Sequence, residues 1–288
     1  MKIGTCEADF RHHGGNHYMK LKEYGYTAAD RSLSDKQEIF KLSEEERKIE
    51  LEKERKRALE AGVEISQVHG PWRWPPRDYT PEDRAERMDV MKASIRACSY
   101  IDCKNWVIHP IMPMGVQDVG TPDEQKTWEM NKVFMTELLA YAKEWGITIC
   151  FETMPMPALG IGTPTEILRF VNEMNDDNFK ICMDTGHAAV FSHQISVGDA
   201  IRQMGDKIAC FHIHDCNAKH DLHMLPGTGV IDWDDVCAAI KEIGYKGVFS
   251  LESNNAKPDW PEDLYEDYSK LAFDLAKHLV DKIEGGDK

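Results

Sequence analysis

The 288-residue sequence contains no apolar run near the roughly 18 residues that a membrane-spanning helix needs. It also shows no secretory leader, because Met1 is followed directly by Lys2-Ile3-Gly4-Thr5, a pattern that predicts a first β-strand. Basic residues are in the minority: 35 Lys and Arg stand against 50 Asp and Glu, and the formal net charge is −15. A chain this acidic is poorly suited to nucleic acid or an anionic membrane surface. We therefore expect a cytoplasmic protein that contacts no membrane and has little affinity for nucleic acid.

Two common motifs are also missing. None of the eight cysteines belongs to a Cys-x-x-Cys pair, and Cys150, Cys182 and Cys210 lie inside apolar, strand-like runs. Cysteine in such a run behaves as a small hydrophobic residue, so we expect reduced, buried thiols rather than disulfides. No glycine-rich phosphate loop follows the first strand, which disfavours an open, doubly wound sheet.

A local pattern of Glu, any residue, Gly and a hydrophobic residue recurs four times. Each copy follows an amphipathic helical stretch and precedes a short apolar run. Glycine just past a helix end adopts the left-handed conformation that closes the helix. The repeat therefore predicts alternating helices and strands, which form a parallel sheet with its helices packed outside. The copies are Glu23-Tyr24-Gly25-Tyr26, Glu60-Ala61-Gly62-Val63, Glu144-Trp145-Gly146-Ile147 and Glu242-Ile243-Gly244-Tyr245.

Eight apolar segments are predicted strands: residues 3–6, 26–29, 63–68, 106–108, 147–151, 180–183, 208–213 and 248–251. Eight strand–helix units in under 300 residues favour a closed barrel, and a hydrophobic content of 42% suffices for its core. We predict an α/β protein, a (β/α)8 TIM barrel forming a single domain over residues 1–288. Helices are predicted at 81–101, 122–145, 164–174 and 262–283. The charged tract at 43–60 interleaves acids and bases, which predicts a solvated outer helix face.

Six of these strands end beside a side chain that can bind a metal or transfer a proton. In a barrel the C-terminal strand ends form one mouth, where the active sites of this fold lie. Three carboxylates there would repel one another by about 4 kcal/mol per pair, at roughly 4 Å and an effective dielectric constant of about 20. A divalent cation removes that conflict, so we predict a metal site. The six residues are His69, His109, Glu152, Asp184, His212 and Glu252.

Residues 207–233 carry the densest group of candidate ligands. His212 and His214 alternate along a strand and so lie on one face. Asp221 and His223 follow in a polar loop, before the turn predicted at Pro226-Gly227-Thr228-Gly229. A donor set of carboxylates and imidazole suits one Mn²⁺, Co²⁺, Zn²⁺ or Fe²⁺ ion better than Mg²⁺. We expect no organic cofactor.

The motifs at the strand ends are Val68-His69-Gly70-Pro71, Val107-Ile108-His109-Pro110, Glu152-Thr153-Met154-Pro155, Asp184-Thr185-Gly186-His187-Ala188, His212-Ile213-His214-Asp215, the segment 221–233, and Glu252. In these motifs nearly the whole chain resembles the xylose isomerase-like TIM-barrel superfamily, which includes ketose 3-epimerases, inosose isomerases and dehydratases, and endonuclease IV. The resemblance implies a metal held by Glu152, Asp184, Glu252 and a histidine of the seventh strand. Endonuclease IV and the inositol-type enzymes use the position of His212, and ketose epimerases use that of His214. We favour His212, with His214 facing the substrate.

A metal flanked by two glutamates predicts an isomerase or epimerase that acts on a sugar, a sugar phosphate or a polyol-derived ketone. The ion would stabilise an enediolate while Glu152 removes a proton beside the carbonyl and Glu252 returns it. We expect His187 to orient a substrate oxygen or to support the metal ligands. After the third strand, Trp72 could pack on a sugar face and Arg73 could receive a phosphate or carboxylate.

Lys219 is a further candidate substrate contact, because ketose 3-epimerases, by the same resemblance, have an arginine after the seventh strand. Many members of the superfamily have Asn at the first position of the loop after the fifth strand, where this chain has Thr153. A homo-oligomer is compatible with the sequence.

Three other functions stay open: an endonuclease IV-like trinuclear zinc phosphodiesterase, an inosose-type dehydratase and a sugar-binding barrel without turnover. The acidic net charge and Gly186, where the endonuclease has cysteine, disfavour the first. The nine ligands of the endonuclease's zinc cluster nevertheless have counterparts of the same type. These are His69, His109, Glu152, Asp184, His187, His212, Asp221, His223 and Glu252.

Overall fold

The computed structural model of the chain describes residues 1–33, 37–253 and 260–285. This part of the chain contains eight β-strands: β1 (Lys2–Cys6), β2 (Ala28–Ser32), β3 (Glu64–His69), β4 (Asn105–Ile108), β5 (Thr148–Glu152), β6 (Phe179–Asp184), β7 (Ile208–His212) and β8 (Val248–Leu251). They form one sheet in the order β7-β6-β5-β4-β3-β2-β1-β8, in which every neighbouring pair is parallel.

The two edge strands of this sheet meet through Ile213, which follows β7. Its N–H donates to the carbonyl of Ser250 at 2.8 Å, and its own carbonyl accepts from the N–H of Glu252 at 3.0 Å. An isolated parallel bridge therefore joins Ile213 to Leu251. The predicted (β/α)8 barrel is confirmed.

The described α-helices are α1 (His17–Glu23), α2 (Glu44–Ala61), α3 (Pro81–Tyr100), α4 (Pro122–Glu144), α5 (Pro164–Met174), α6 (Thr185–Ala189), α7 (Val197–Met204), α8 (Trp233–Glu242) and α9 (Glu262–Glu284). Short 3-10 helices span Glu7–His13, Glu38–Lys41 and Gly205–Lys207. The glycine of each four-residue repeat has a positive φ, between 64° and 102°, as expected for residues that end helices. No helix in the described ranges combines the length and apolar character needed to cross a membrane.

Strand β2 differs from its predicted position at 26–29, because it continues through two charged residues, Asp30 and Arg31. The Arg31 Nε–H donates to Glu54 Oε1 at 2.6 Å, and both side chains are almost fully buried. Because the charge of Arg31 is paired within the protein, the strand can continue past the end of its apolar run. Glu54 belongs to α2, whose predicted solvated face therefore includes one buried carboxylate.

The barrel interior beneath the mouth is lined by thiols. Cys150, Cys182 and Cys210 pack with Val107 in a small cluster separate from the main core. Side chains alternate along a strand, so these residues point to the inner face while their neighbours pack outward against the helices. Every described cysteine is free, and all but Cys6 are buried.

Candidate metal and active site

Four side chains converge where β5, β6, β7 and β8 end. The potential ligand atoms of Glu152, Asp184, His212 and Glu252 all lie within 4.8 Å of one another. His212 Nδ1 is 2.7 Å from Glu152 Oε1 and 3.0 Å from Glu252 Oε2. It is also 3.9 Å from Asp184 Oδ2. Glu252 is partly exposed, whereas the other three are buried.

Three carboxylates in so small a volume need a positive charge beside them. Although burial opposes the charged form, Cys182, Glu252 and Glu152 raise the pKa of His212 well above its usual value. Burial would also raise the pKa of Glu152, but His212 and His109 hold it well below its usual range. Among the described residues, only imidazole nitrogens approach Glu152 Oε2 and Glu252 Oε2, at 3.0 Å from His109 and His212, and neither oxygen accepts a well-aligned hydrogen bond. This donor set fits a divalent cation, which would supply the charge that an imidazolium otherwise provides.

The opposite edge of the His212 ring is held by a carboxylate that sequence reasoning missed. The His212 Nε2–H donates to Asp30 Oδ2 at 2.8 Å, and the Gln67 side-chain amide donates to the same oxygen at 2.9 Å. Because Asp30 holds Nε2–H, Nδ1 is the ring nitrogen that faces the carboxylates; it carries a proton in the metal-free protein and would lose that proton on binding an ion. Asp30 directly follows the predicted strand 26–29, so the strand-end criterion applied to that strand would have identified it.

A second group of imidazoles surrounds Asp221 in the loop after β7. His187 Nε2 and His223 Nε2 lie 3.2 Å and 3.1 Å from Asp221 Oδ2. The Nδ1 atoms of the two rings contact the carbonyls of Thr153 at 2.7 Å and Glu252 at 2.8 Å. Despite burial, neighbouring carboxylates raise the pKa of His187 to about 10 and that of His223 to about 9.

Three further histidines contact the carboxylates of Glu152 and Asp184. His69 Nε2 and His109 Nε2 lie 3.3 Å and 3.0 Å from Glu152 Oε2. His214 Nε2 lies 2.9 Å from Asp184 Oδ1. The structure thus brings together at one mouth all ten residues predicted as metal ligands or as additional metal or substrate contacts.

Asp215 anchors the loop that carries Asp221 and His223. Both oxygens of its fully buried carboxylate accept hydrogen bonds, from four backbone N–H groups and one indole N–H. Five donors on one side chain fix the loop backbone, because each would otherwise be an unsatisfied buried group. The donors belong to Cys216, Gly227, Val230, Ile231 and Trp233.

A cavity of about 450 Å³ opens above these residues, which is within the range of roughly 300–1,000 Å³ typical of small-molecule sites. Glu152, His187, His223 and Glu252 contribute to its polar side. The apolar side includes two exposed tryptophans. The apolar lining residues are Ala8, Trp72, Trp74, Met112, Met154, Pro155 and Met156.

Two of the three predicted substrate contacts lie at the cavity, and the third lies outside its described lining. Trp72 and Arg73 line the cavity, although the Arg73 side chain is largely buried with Nη2 3.2 Å from Glu86 Oε1. Lys219 is exposed in the loop after β7 and lies outside the described lining of this cavity. Asp9, which was not predicted, lies on the cavity wall, and burial together with nearby carboxylates raises its pKa to about 7.

A parallel eight-stranded barrel with acidic and imidazole side chains at its carboxyl mouth defines an α/β-barrel protein. The profile of the xylose isomerase-like TIM barrel family matches residues 19–271. The chain belongs to this family.

Two curated relatives and one solved structure illustrate the similarity. A D-psicose 3-epimerase from Ruminiclostridium cellulolyticum is 30% identical over 46% of this chain and 43% of its own length. An inosose isomerase from Bacillus licheniformis is 28% identical over 68% of this chain and 70% of its own. The chain therefore spans less than half of the epimerase. The structure described as the IOLI protein with a binding zinc atom superposes with a TM-score of 0.74 at 21% identity, covering 98% of each chain, and supports the fold alone.

Proposed function

We propose that this protein is a divalent-metal-dependent isomerase or epimerase of a sugar, a sugar phosphate or a polyol-derived ketone. The observation that carries the proposal is the buried convergence of Glu152, Asp184, His212 and Glu252 beneath an open cavity. The names of the relatives, D-psicose 3-epimerase and inosose isomerase, support this substrate class.

Glu152, Asp184, His212 and Glu252 would hold the metal. When bound there, Mn²⁺, Co²⁺, Zn²⁺ or Fe²⁺ supplies a Lewis acid that polarises a substrate carbonyl, whereas Mg²⁺ suits an imidazole ligand less well. The hydrogen bond from His212 to Asp30 keeps Nδ1 available as a ligand atom. The proposal needs no organic cofactor.

The two glutamates carry the proton transfer in this proposal. Although burial raises their pKa values, nearby histidines, His212 foremost, lower both below the usual range. Both are therefore carboxylates at neutral pH and can accept a proton. Glu152 removes the proton beside the substrate carbonyl and later releases it to solvent. Glu252, once it has taken up a solvent proton, delivers that proton on the opposite face or at the neighbouring carbon. Each such general acid–base step contributes about 10²–10⁴-fold.

The cavity wall suits a sugar, which has an apolar C–H face and several hydroxyl groups. Trp72 provides an exposed apolar surface for the C–H face, and His187 on the cavity wall orients a substrate oxygen. His214, which was expected to face the substrate, is fully buried outside the described lining of the cavity and contacts Asp184 instead. Arg73 and Lys219 are the proposed contacts for a phosphate or carboxylate on the substrate, reached from the rim.

Solvent exchange tests the proposal directly. Metal-loaded protein is incubated in D₂O with a panel of ketohexoses, ketopentoses, their phosphates and inososes, and products are followed by NMR and mass spectrometry. We expect deuterium to enter at a carbon adjacent to the carbonyl, with exchange lost on chelation and restored by Mn²⁺ or Co²⁺. Metal-loaded protein that exchanges none of these substrates would contradict the proposed activity.

The histidines beside Glu152 and Asp184 favour a second candidate function, that of an endonuclease IV-like phosphodiesterase, because they could hold additional metal ions. Two features oppose it. The net charge is −15, and a Cβ at Gly186 would lie only 1.9 Å from His214 Cε1, so the cysteine of the endonuclease cannot be accommodated with His214 in this position. Three zinc ions per chain together with incision of abasic duplex DNA would establish this function instead.

A dehydratase would share the first proton removal and then expel a hydroxyl group. Product mass separates the two reactions, because dehydration removes one water and isomerisation leaves the mass unchanged. We further propose a cytoplasmic location, supported by free cysteines throughout the described chain.

A further inference from the structure

The thiol cluster in the barrel interior lies directly below the proposed metal centre. Cys150, Cys182 and Cys210 each precede a residue of that centre by two positions, on β5, β6 and β7 respectively. Residues two apart on a strand point to the same face, so each thiol lies in the layer beneath a carboxylate or imidazole.

Among these thiols, Cys182 lies close enough to the centre to offer a ligand atom. In the sheet register it pairs with Glu152 on one side and Cys210 on the other, so its side chain lies between a carboxylate and a second thiol. The metal-binding atoms of Glu152, Cys182 and His212 lie within 4.8 Å of one another, the same spacing that relates the four proposed ligands.

This spacing is compatible with one shared ion. Typical zinc bonds are about 2.3 Å to sulfur and about 2.0–2.1 Å to nitrogen. Two ligand atoms on opposite sides of an ion are therefore about 4.4 Å apart, so the observed triangle needs only small side-chain shifts. Glu152, Cys182 and His212 are all buried, so the triangle is closed to solvent on its lower side.

We propose that Cys182 is an additional, sulfur ligand of this centre when the bound ion is thiophilic. Zn²⁺, Co²⁺ or Cd²⁺ would be held by Cys182 with Glu152 and His212, and the thiol proton would leave to solvent as the metal–sulfur bond forms. Hard ions such as Mn²⁺ and Mg²⁺ would use the carboxylates and the imidazole without the thiol. The inference rests on the proposed function only in placing a divalent ion at this centre.

The consequence is that Cys182 sets the metal preference of the centre. Thiolate ligands favour soft ions, so Cys182 raises the affinity for Zn²⁺ and Co²⁺ relative to Mn²⁺. A Cys182→Ser variant should lower the ratio of Zn²⁺ to Mn²⁺ affinity by about tenfold or more, the scale on which groups that support a metal ligand act.

Cobalt spectroscopy of the full-length protein tests the inference. Chelator-treated protein is titrated with Co²⁺, and bound cobalt is counted by elemental analysis. We expect a near-ultraviolet thiolate-to-cobalt charge-transfer band in the wild type that is lost in Cys182→Ser. Cys237→Ser is the matched control, because Cys237 is a buried thiol on the outer helix α8 and should leave the band unchanged.

The outcomes distinguish this inference from the proposed function. Bound cobalt without a thiolate band, or a band that persists in folded Cys182→Ser protein, overturns the role of Cys182 and leaves the metal centre intact. No bound cobalt overturns both proposals. X-ray absorption of the zinc-loaded wild type needs no variant: a sulfur neighbour at about 2.3 Å supports the inference, and a shell of only nitrogen and oxygen contradicts it.

Discussion

His212 donates from Nε2–H to Asp30 Oδ2 at 2.8 Å, on the edge of the ring opposite the carboxylates of Glu152 and Glu252. The imidazole is thus held between a supporting carboxylate from β2 and the proposed metal ligands. Gln67 donates a second hydrogen bond to the same Asp30 oxygen and a further one to the carbonyl of Phe211. The orientation of one proposed metal ligand therefore depends on residues from three strands.

Replacing Asp30 with Asn should weaken metal binding. The Asn amide can donate to Nε2, which stabilises the tautomer with a proton on Nδ1, and a protonated nitrogen cannot bind a metal. We expect Asp30→Asn to lower the affinity for Zn²⁺ or Co²⁺ by about 10–100-fold, as measured by competition with a chromophoric chelator. Asp267→Asn, on an exposed face of α9, is the control. An Asp30→Asn variant with wild-type affinity would show that this hydrogen bond does not orient the ligand.

The positions of the strands and the convergence of the candidate site residues at the mouth were predictable for one reason. In a parallel barrel each strand is a short apolar run, and the polar residue that follows it faces the mouth, as Phe151 and Glu152 illustrate. The local sequence of each unit therefore indicates both where the strand lies and which polar residue at its end faces the mouth. The exception is β2, where buried Asp30 and Arg31 interrupt the apolar run because Glu54 neutralises Arg31 from another element.

Side-chain partners across strands were not predictable. The contact of His212 with Asp30 joins residues 182 positions apart, and Cys182 lies beside Glu152 only because of the register between β5 and β6. The register between two strands follows from the packing of the whole barrel. The sequence alone therefore does not show which polar or thiol side chains of different strands will be in contact.

The metal-free protein should lose stability as the pH rises above neutrality. The pKa of His187 is about 10 and that of His223 about 9 in the folded chain, against about 6.5 in the unfolded chain. The folded state binds these protons more tightly, so their stabilisation is complete below about pH 6.5 and is lost as the pH rises through about 9 to 10. We expect the free energy of unfolding to fall over that range, with about 1.4 kcal/mol as the upper bound for each unit of pKa difference.

Urea-induced unfolding of chelator-treated protein, between pH 6.5 and 10, measures this effect. The His187→Gln, His223→Gln double variant should show a much smaller decline. His278→Gln, at an exposed position on α9, should decline like the wild type. An unchanged slope in the double variant would assign the pH dependence to other groups.

Asp215 should be critical for the loop that carries Asp221 and His223. Asp215→Asn keeps one acceptor oxygen but places an NH₂ group where Oδ1 or Oδ2 now accepts hydrogen bonds from buried donors. We expect the free energy of unfolding to fall by about 1–3 kcal/mol, the cost of leaving such groups unsatisfied, as measured by urea titration. Asp177→Asn, at an exposed position after α5, should change it by less than about 0.5 kcal/mol.

Glu252→Gln should abolish solvent exchange while leaving the fold intact. Glutamine is nearly isosteric but cannot accept a proton at neutral pH, so the returning step loses its acid–base group and the rate should fall at least 10²-fold. Because amide oxygen is a weaker ligand than carboxylate, the assay is run at saturating metal, with occupancy confirmed by elemental analysis. Glu129→Gln, at an exposed position on α4, is the control. Full exchange by metal-loaded Glu252→Gln would remove Glu252 from the proton transfer, and Glu152 would then have to act with a different partner on the cavity wall, of which Asp9, with its pKa raised to about 7, is the first to test.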